Sequence, residues 1–160
     1  MDASVEKVRE AVENYFEIDE LKHSPFDDRN VAKTGFAVKT KFGHVELLFH
    51  AYDSQLIIHT FIPIQATEDV RAKVAEFVVR ANYGLRVGCF DYDFDDGEIS
   101  YRTSIFCGIE DFSPPTYEQI DHDVCVALAM IRKYGDALVK VMFGLVEPKE
   151  AIDAVENADD

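Results

Sequence analysis

The most constraining feature of the sequence is a pair of runs, residues 45–52 and 55–62, in which two sets of side chains alternate strictly. Successive residues of a strand point to opposite faces of a sheet, so each run predicts a strand. The turn Asp53-Ser54 between them indicates an antiparallel hairpin, and a similar run over residues 36–42 adds a third strand. The expected core-facing residues are Phe36, Val38, Thr40, Phe42, Val45, Leu47, Phe49, Ala51, Leu56, Ile58, Thr60 and Ile62. The pattern therefore predicts an antiparallel meander.

A second hairpin is predicted around Asp96-Gly97, a dipeptide typical of two-residue hairpin turns. Such a turn places Phe94 opposite Ile99 and sets the register of both strands. The residues that then share the core face are Phe90, Tyr92, Phe94, Ile99, Tyr101 and Ile105. On the other face this register places Asp91 opposite Arg102, which is a favourable cross-strand charge pair.

Four other segments carry apolar residues at helical spacing. Their stripes are Val5, Val8, Val12, Tyr15 and Phe16; Val70, Val74, Phe77, Val78 and Ala81; Ile120, Val124, Ala127, Leu128, Ile131, Leu138, Val141 and Met142; and Ala151, Ile152 and Val155. Thr67 is expected to cap the second helix and Gly84 to end it. Thr116 and Gln119 form a capping box for the third helix, which Gly135 is expected to kink or interrupt.

The predicted order is α-β-β-β-α-β-β-α, which indicates an α+β fold with one five-stranded antiparallel sheet and helices packed on it. A single domain is expected over residues 1–146 and a short acidic helix or tail over residues 147–160. The last five residues, 156–160, are expected to fray because their negative charge opposes the helix dipole.

The charge balance narrows the classes of partner. The chain has 16 Lys and Arg against 31 Asp and Glu, which gives a net charge of −15. Phosphate backbones and anionic membranes would be repelled, so neither nucleic acid nor a membrane is an expected partner. A basic protein surface would be attracted, although solubility is the simpler explanation of such a charge.

Cysteine usage and the absence of targeting signals predict a cytoplasmic location. Cys89, Cys107 and Cys125 match no metal or redox motif and lie in apolar runs, so reduced thiols are expected. The beginning of the sequence lacks the basic and apolar stretches of a signal peptide. No run reaches the ~20 apolar residues of a membrane span.

The sequence contains no G-x-S-x-G, Walker glycine loop, G-x-G-x-x-G or H-E-x-x-H motif, so we expect no enzymatic activity and no cofactor. The acidic run Asp91–Glu98 matches the first ligand positions of a calcium loop. However, Asp96 stands where such a loop needs glycine, and Arg102 stands where it needs a bidentate glutamate. A solvated hairpin turn is the preferred interpretation.

The second face of the meander is not polar, which is unusual for a sheet with helices on one side. Its residues include Leu48, Tyr52, Ile57, Phe61, His50 and His59. The hairpin makes the two histidines diagonal neighbours, but a zinc site needs three or four ligands, so no metal is expected. A mixed surface of this kind marks a partner or dimer interface, unless the long C-terminal helix covers it.

The stretch from Phe77 to Ile105, FVVRANYGLRVGCFDYDFDDGEISYRTSI, resembles the YbjN-like family of bacterial sensory transduction regulators. A helix carrying Asn82 leads into a strand with Gly88-x-Phe90-Asp91. The turn Asp96-Gly97 and a strand with Tyr101-Arg102-x-Ser104 follow. The order of elements and the long C-terminal helix are also similar to that family.

The resemblance covers roughly residues 4–145 and implies a fold like that of type III secretion chaperones. Those proteins are small acidic homodimers that bind extended segments of partner proteins. The resemblance therefore implies no catalytic residues in this chain. The leading hypothesis is a homodimeric protein-binding adaptor or chaperone-like regulator. The alternative is a small-molecule or metal-ion sensor that uses the acidic hairpin 91–98 or the His50/His59 face. An enzyme with a spatially assembled site is the third and weakest hypothesis.

Overall fold

The structure, a computed structural model, describes residues 2–158. The helices are α1 (Ala3–Ile18), α2 (Arg71–Asn82), α3 (Tyr117–Met142) and α4 (Pro148–Asn157). The strands are β1 (Val31–Ala37), β2 (His44–Ala51), β3 (Gln55–Phe61), β4 (Cys89–Tyr92) and β5 (Ile99–Phe106). This order confirms the predicted α+β fold, with a final helix following the α-β-β-β-α-β-β-α series.

The five strands form one antiparallel sheet in the order β1-β2-β3-β5-β4. The β2–β3 hairpin has the predicted register, with Leu48 opposite His59 and His50 opposite Ile57. The predicted core-facing residues of β2 and β3 are buried and form one hydrophobic core with the apolar stripes of the helices. The helices therefore pack on one face of the sheet, which we call the helix face.

The prediction for β1 was wrong in its position. The strand begins at Val31 and ends at Ala37, and residues 38–43 form a loop rather than its second half. Within this loop the Val38 N–H donates to the Gly43 carbonyl, which closes it locally. Phe42 still packs against the core, but it does so from the loop. An apolar residue at the right spacing was thus mistaken for a strand residue.

The predicted register of the second hairpin was also wrong, by two residues. Phe90 lies opposite Tyr101, and the connection spans a longer turn closed by the Asp93 N–H donating to the Glu98 carbonyl. A two-residue turn would be closed by the Glu98 N–H donating to the Asp95 carbonyl. Here the Glu98 N–H donates to the Asp96 carboxylate and the Asp95 carbonyl accepts from Arg71, while the Gly97 carbonyl accepts from the Ala66 N–H. A shift of two preserves the faces of the strands, but Phe94 now lies in the turn and is 57% exposed.

The helix predictions were mostly confirmed. The Thr116–Gln119 capping box is present in both directions, and α1 buries all five residues of its predicted stripe. Thr67 does not cap α2 through its side chain, because its hydroxyl donates to the Asp69 carboxylate and a 3-10 turn precedes the helix. Gly135 does not interrupt α3, which runs continuously for 26 residues.

Gly135 instead lets the β1–β2 loop approach α3. It is buried, and a Cβ at this position would lie 3.0 Å from two ring carbons of Phe42. The Asp136 carboxylate next to it accepts a hydrogen bond of 2.7 Å from the Lys41 N–H. The absence of a side chain at Gly135 thus lets Phe42 approach the helix, and the Asp136 carboxylate holds the loop there by a hydrogen bond.

The C-terminal segment forms the predicted helix. Ala151 and Ile152 of α4 are buried in the core, and Lys73 of α2 pairs with Glu147 at 2.7 Å just before α4 begins. The predicted fraying of residues 156–160 concerns in part Asp159 and Asp160, which lie outside the described residues.

Asp123 of α3 is an acidic side chain inside the core, with 7% of its surface exposed. One carboxylate oxygen lies 3.2 Å from Nδ1 of His122, and the other has no hydrogen-bond partner. The Thr103 hydroxyl lies close to this carboxyl without a well-aligned hydrogen bond. Burial raises the pKa of Asp123, since ionisation there creates a charge that water cannot solvate.

The substitution Asp123→Asn is therefore expected to stabilise the protein at neutral pH. A pKa that is raised on folding makes the wild type lose stability as pH rises from the ordinary aspartate range through the raised value, because the unfolded carboxyl ionises first. The amide has no such loss, so we expect a gain of about 1 kcal/mol at pH 7 and little difference at pH 3. Urea unfolding at both pH values measures this, and a variant that is less stable at pH 7 would contradict it.

Candidate interaction surface

The face of the sheet opposite the helix face, which we call the open face, has no helix over it in the described part of the chain. The buried residues of all four helices belong to the core on the helix face. Leu48, Ile57 and Phe61 of the open face are half-buried and are not part of that core. Of the two alternatives left by the sequence, cover by the long C-terminal helix is thus the wrong one.

The strand registers arrange the open face in rows that cross the sheet. Leu48 lies opposite His59, and His59 lies opposite Arg102 of β5. The next rows are Glu46–Phe61–Ser100 and His50–Ile57–Ser104. The predicted residues of β2 and β3 therefore share one continuous patch. Tyr52 follows β2 and adjoins the patch through its ring, which is tilted by 32° to that of His50 at a centroid distance of 4.0 Å.

Charged pairs flank the open face on both sides, since Lys33 of β1 lies 3.9 Å from Glu46 of β2, and Arg102 of β5 pairs with Asp91 of β4. Arg102 Nε donates to Asp91 Oδ2 at 2.7 Å, and Arg102 Nη2 lies 3.5 Å from Cys89 Sγ. This confirms the predicted attraction between Asp91 and Arg102, although the two residues are diagonal rather than directly opposite. The half-exposed ion pair borders the apolar patch instead of interrupting it.

The two histidines of the patch favour their neutral form. Burial lowers the pKa of both His50 and His59. The carboxylate of Asp27 near His50 and that of Asp91 near His59 act in the opposite direction, but burial is the larger effect. The ring of His59 also stacks with that of Phe61, at a centroid distance of 5.9 Å. A neutral imidazole can be buried against a partner at much lower cost than a charged one.

Phe106 is an open-face residue that the sequence analysis missed. It is 71% exposed and lies opposite Gln55, in the same set of alternate β5 residues as Arg102 and Ser104. Strand alternation could have identified it, because Phe106 follows Ile105, and a residue next to a core-facing strand residue points to the opposite face. Phe106 extends the apolar part of the open face to the end of β5.

The acidic hairpin uses its carboxylates for its own turn. Asp93 accepts from the Asp95 N–H at 2.8 Å, and Asp96 accepts from the Glu98 N–H at 2.9 Å. Across residues 2–158, no three His, Cys, Asp or Glu side chains are grouped so that they could hold a metal ion. Over the same residues, no helix has the length and apolar character needed to cross a membrane.

Polar groups close the outer edges of the sheet at β4 and β1. Asn82, the last residue of α2, accepts from the Phe90 N–H at 2.7 Å and donates to the Phe90 carbonyl at 2.9 Å. Its amide thus takes the place of a neighbouring strand. On β1, the Ser24 N–H donates to the Lys33 carbonyl and the Ser24 hydroxyl accepts from the Lys33 N–H, both at 2.9 Å. Such closure hinders pairing with another chain.

Comparison with solved structures agrees with this architecture. The chain is similar to YbjN from E. coli, a candidate transcription regulator, with a TM-score of 0.55 and 10% sequence identity over 78% of this chain and 85% of that chain. No protein-family model matches the chain, and no curated protein matches it significantly. A likeness at this identity shows the fold alone. The chain therefore has the YbjN-like fold that residues 77–105 predicted.

Proposed function

We propose that the protein is a non-enzymatic, homodimeric adaptor or chaperone-like regulator that binds extended segments of partner proteins in the cytoplasm. The observation that carries this proposal is the open face. Three half-buried apolar side chains, Leu48, Ile57 and Phe61, lie on it side by side with no helix above them. Exposed apolar patches of this kind are typical of protein–protein interfaces.

The electrostatics of the patch support a second copy of the chain as its occupant. Leu48, Ile57 and Phe61 surround His59 on the patch, and both of its histidines favour the neutral form, so burying these residues places little charge in the interface. The net charge of −15 favours basic partner proteins by long-range attraction. Subunit pairing through the open face leaves the rest of this acidic surface available to such partners.

The sensor hypothesis has less support. The carboxylates of Asp93 and Asp96 already accept hydrogen bonds from their own turn, and Asp91 is paired with Arg102. A cation at this hairpin would have to compete with those contacts.

We expect wild-type protein to have twice the mass of one chain in light scattering and the double variant Leu48→Asp/Phe61→Asp to have the mass of one chain. Two carboxylates that replace apolar side chains in this interface would each have to be buried without a partner. Because both positions lie outside the core, the variant is expected to fold. Circular dichroism and thermal melting establish that it does.

The matched control is Val79→Asp, which introduces the same charge at an apolar residue of α2 that is 70% exposed. It should remain dimeric. A folded double variant that keeps the wild-type mass would show that the open face is not the subunit interface. A monomeric wild type would exclude the homodimer itself.

A further inference from the structure

The last residues of β5 form a stretch of sheet edge that has no partner strand in the described part of the chain. β5 runs from Ile99 to Phe106, whereas β4 pairs only with residues 99–102. From Thr103 onward, β5 is therefore paired with β3 on one side and with no strand on the other. The closures at Asn82 and Ser24 do not reach this stretch, which we call the β5 edge (residues 103–106).

Strand alternation identifies the backbone groups that face outward at the β5 edge. The Ile99 carbonyl accepts from Ile62 and the Cys107 N–H donates to Ser54, so odd-numbered residues of β5 point toward β3. Even-numbered residues must point the other way. The N–H and carbonyl groups of Ser104 and Phe106 therefore face outward, and within residues 2–158 they have no hydrogen-bond partner.

The chain leaves this edge open because it approaches β4 from the helix face. Gly88 has a φ of +70°, and a Cβ there would lie 2.6 Å from the Arg102 carbonyl oxygen. Just before it, the Val87 carbonyl accepts from the hydroxyl of Tyr101, a side chain of the helix face. The residues before β4, which would otherwise extend it along β5, are thus held on the helix face of the sheet.

A groove of about 450 Å³ lies beside the β5 edge, between the end of β5 and the first turns of α3. Its lining includes Ser104, Phe106, Glu118, Gln119, His122 and Asp123. Glu118 is an exposed carboxylate, whereas no lysine or arginine lines the groove. The exposed ring of Phe106 offers an apolar contact. An extended peptide with alternating basic and apolar side chains matches these features.

We propose that the β5 edge is a strand-addition site for an extended basic segment of a partner protein. Two N–H donors and two carbonyl acceptors at alternate residues are the pattern that an incoming antiparallel or parallel strand satisfies. The groove and Glu118 then select its side chains. The proposal rests on the proposed function for the protein nature of the partner, and it adds the place where that partner binds.

Amide hydrogen exchange tests the free edge first. In wild-type protein the Ser104 and Phe106 amides should exchange at least tenfold faster than those of Thr103 and Ile105, which point toward β3. Slow exchange at Ser104 in the free protein would show that the edge is already occupied and would overturn the proposal. Exchange at both outward amides should slow at least tenfold when the peptide acetyl-Lys-Val-Lys-Val-Lys-Val-amide is added.

Binding of the same peptide, labelled with a fluorophore and followed by anisotropy, tests the mechanism. Ser104→Pro removes an outward N–H without removing a bond to β3, and it should weaken binding at least tenfold. Ser104→Ala, which keeps the N–H, should bind like wild type, and a fully N-methylated peptide of equal charge should not bind. Equal binding by both variants, or by the methylated peptide, would show attraction by charge alone and overturn the proposal.

If Ser104→Pro fails to fold, the exchange data on wild-type protein decide the question. The result is also separable from the subunit interface. A dimer that binds no peptide refutes the strand-addition site only, and a monomer that binds the peptide refutes the homodimer only.

Discussion

Gly97→Ala is expected to cost about 3 to 5 kcal/mol of unfolding free energy, an unusually large loss for one added methyl group. Gly97 has a φ of +78°, and a Cβ there would lie 2.1 Å from the Ala66 carbonyl oxygen and 2.8 Å from the Ala66 nitrogen. The segments that contain Gly97 and Ala66 cannot move apart without loss, because the Ala66 N–H donates to the Gly97 carbonyl at 2.9 Å. Relief of the overlap therefore breaks the contact that fixes the β4–β5 turn.

The chain offers a control that separates overlap from backbone conformation. Gly43 has nearly the same φ, +77°, but apart from its own atoms and those of its two chain neighbours, no described atom lies within 4 Å of the Cβ position. Gly43→Ala should therefore cost only the left-handed backbone penalty of about 1 to 2 kcal/mol. Urea unfolding followed by circular dichroism measures both variants. Equal losses would show that contact with Ala66 does not constrain Gly97.

Asn82→Ala is expected to lower the unfolding free energy by about 2 to 3 kcal/mol. It removes both hydrogen bonds to the Phe90 backbone and leaves the Phe90 N–H and carbonyl without a partner from the chain. It also opens the outer edge of β4, so the variant should aggregate more readily on mild heating. Asn82→Asp should also destabilise, since a carboxylate cannot donate to the Phe90 carbonyl. Chemical unfolding and turbidity measure the two effects.

The neighbouring residue supplies the control for Asn82. Tyr83 is 90% exposed, so Tyr83→Ala should change the unfolding free energy by less than about 0.5 kcal/mol and leave turbidity unchanged. If Asn82→Ala behaves like Tyr83→Ala, the side-chain amide does not act as a substitute strand for β4.

Local pattern was sufficient where the interactions themselves are local. The β2–β3 register follows from a short turn and from agreement between the two faces, and the capping box at Thr116 lies within four residues. The errors arose where a distant residue decides the conformation. Ala66 sets the turn at Gly97, and Gly135 accommodates Phe42 in a loop. Neither partner is visible from periodicity, which compares only neighbouring positions.

The sequence predicted which residues lie on the open face, but it did not predict that no helix covers them. Pleating alone places Leu48 and Ile57 on the same side of the hairpin, whereas the packing side of α3 depends on the entire tertiary structure. The β5 edge was not predictable, because it follows from a chain path below the sheet, fixed by Gly88 and the Tyr101–Val87 hydrogen bond.

The strand order has a consequence for how the molecule assembles. β1, β2 and β3 pair with their neighbours in sequence across short connections, so little chain entropy opposes the formation of this meander. β5 can join β3 only after the segment containing α2 and β4 has been drawn into a long closed loop. Until that closure, the inner edge of β3 is bare. The contacts of Gly97 and Asn82 stabilise the β4–β5 half of the sheet, and that half covers the inner edge of β3 once the molecule has folded.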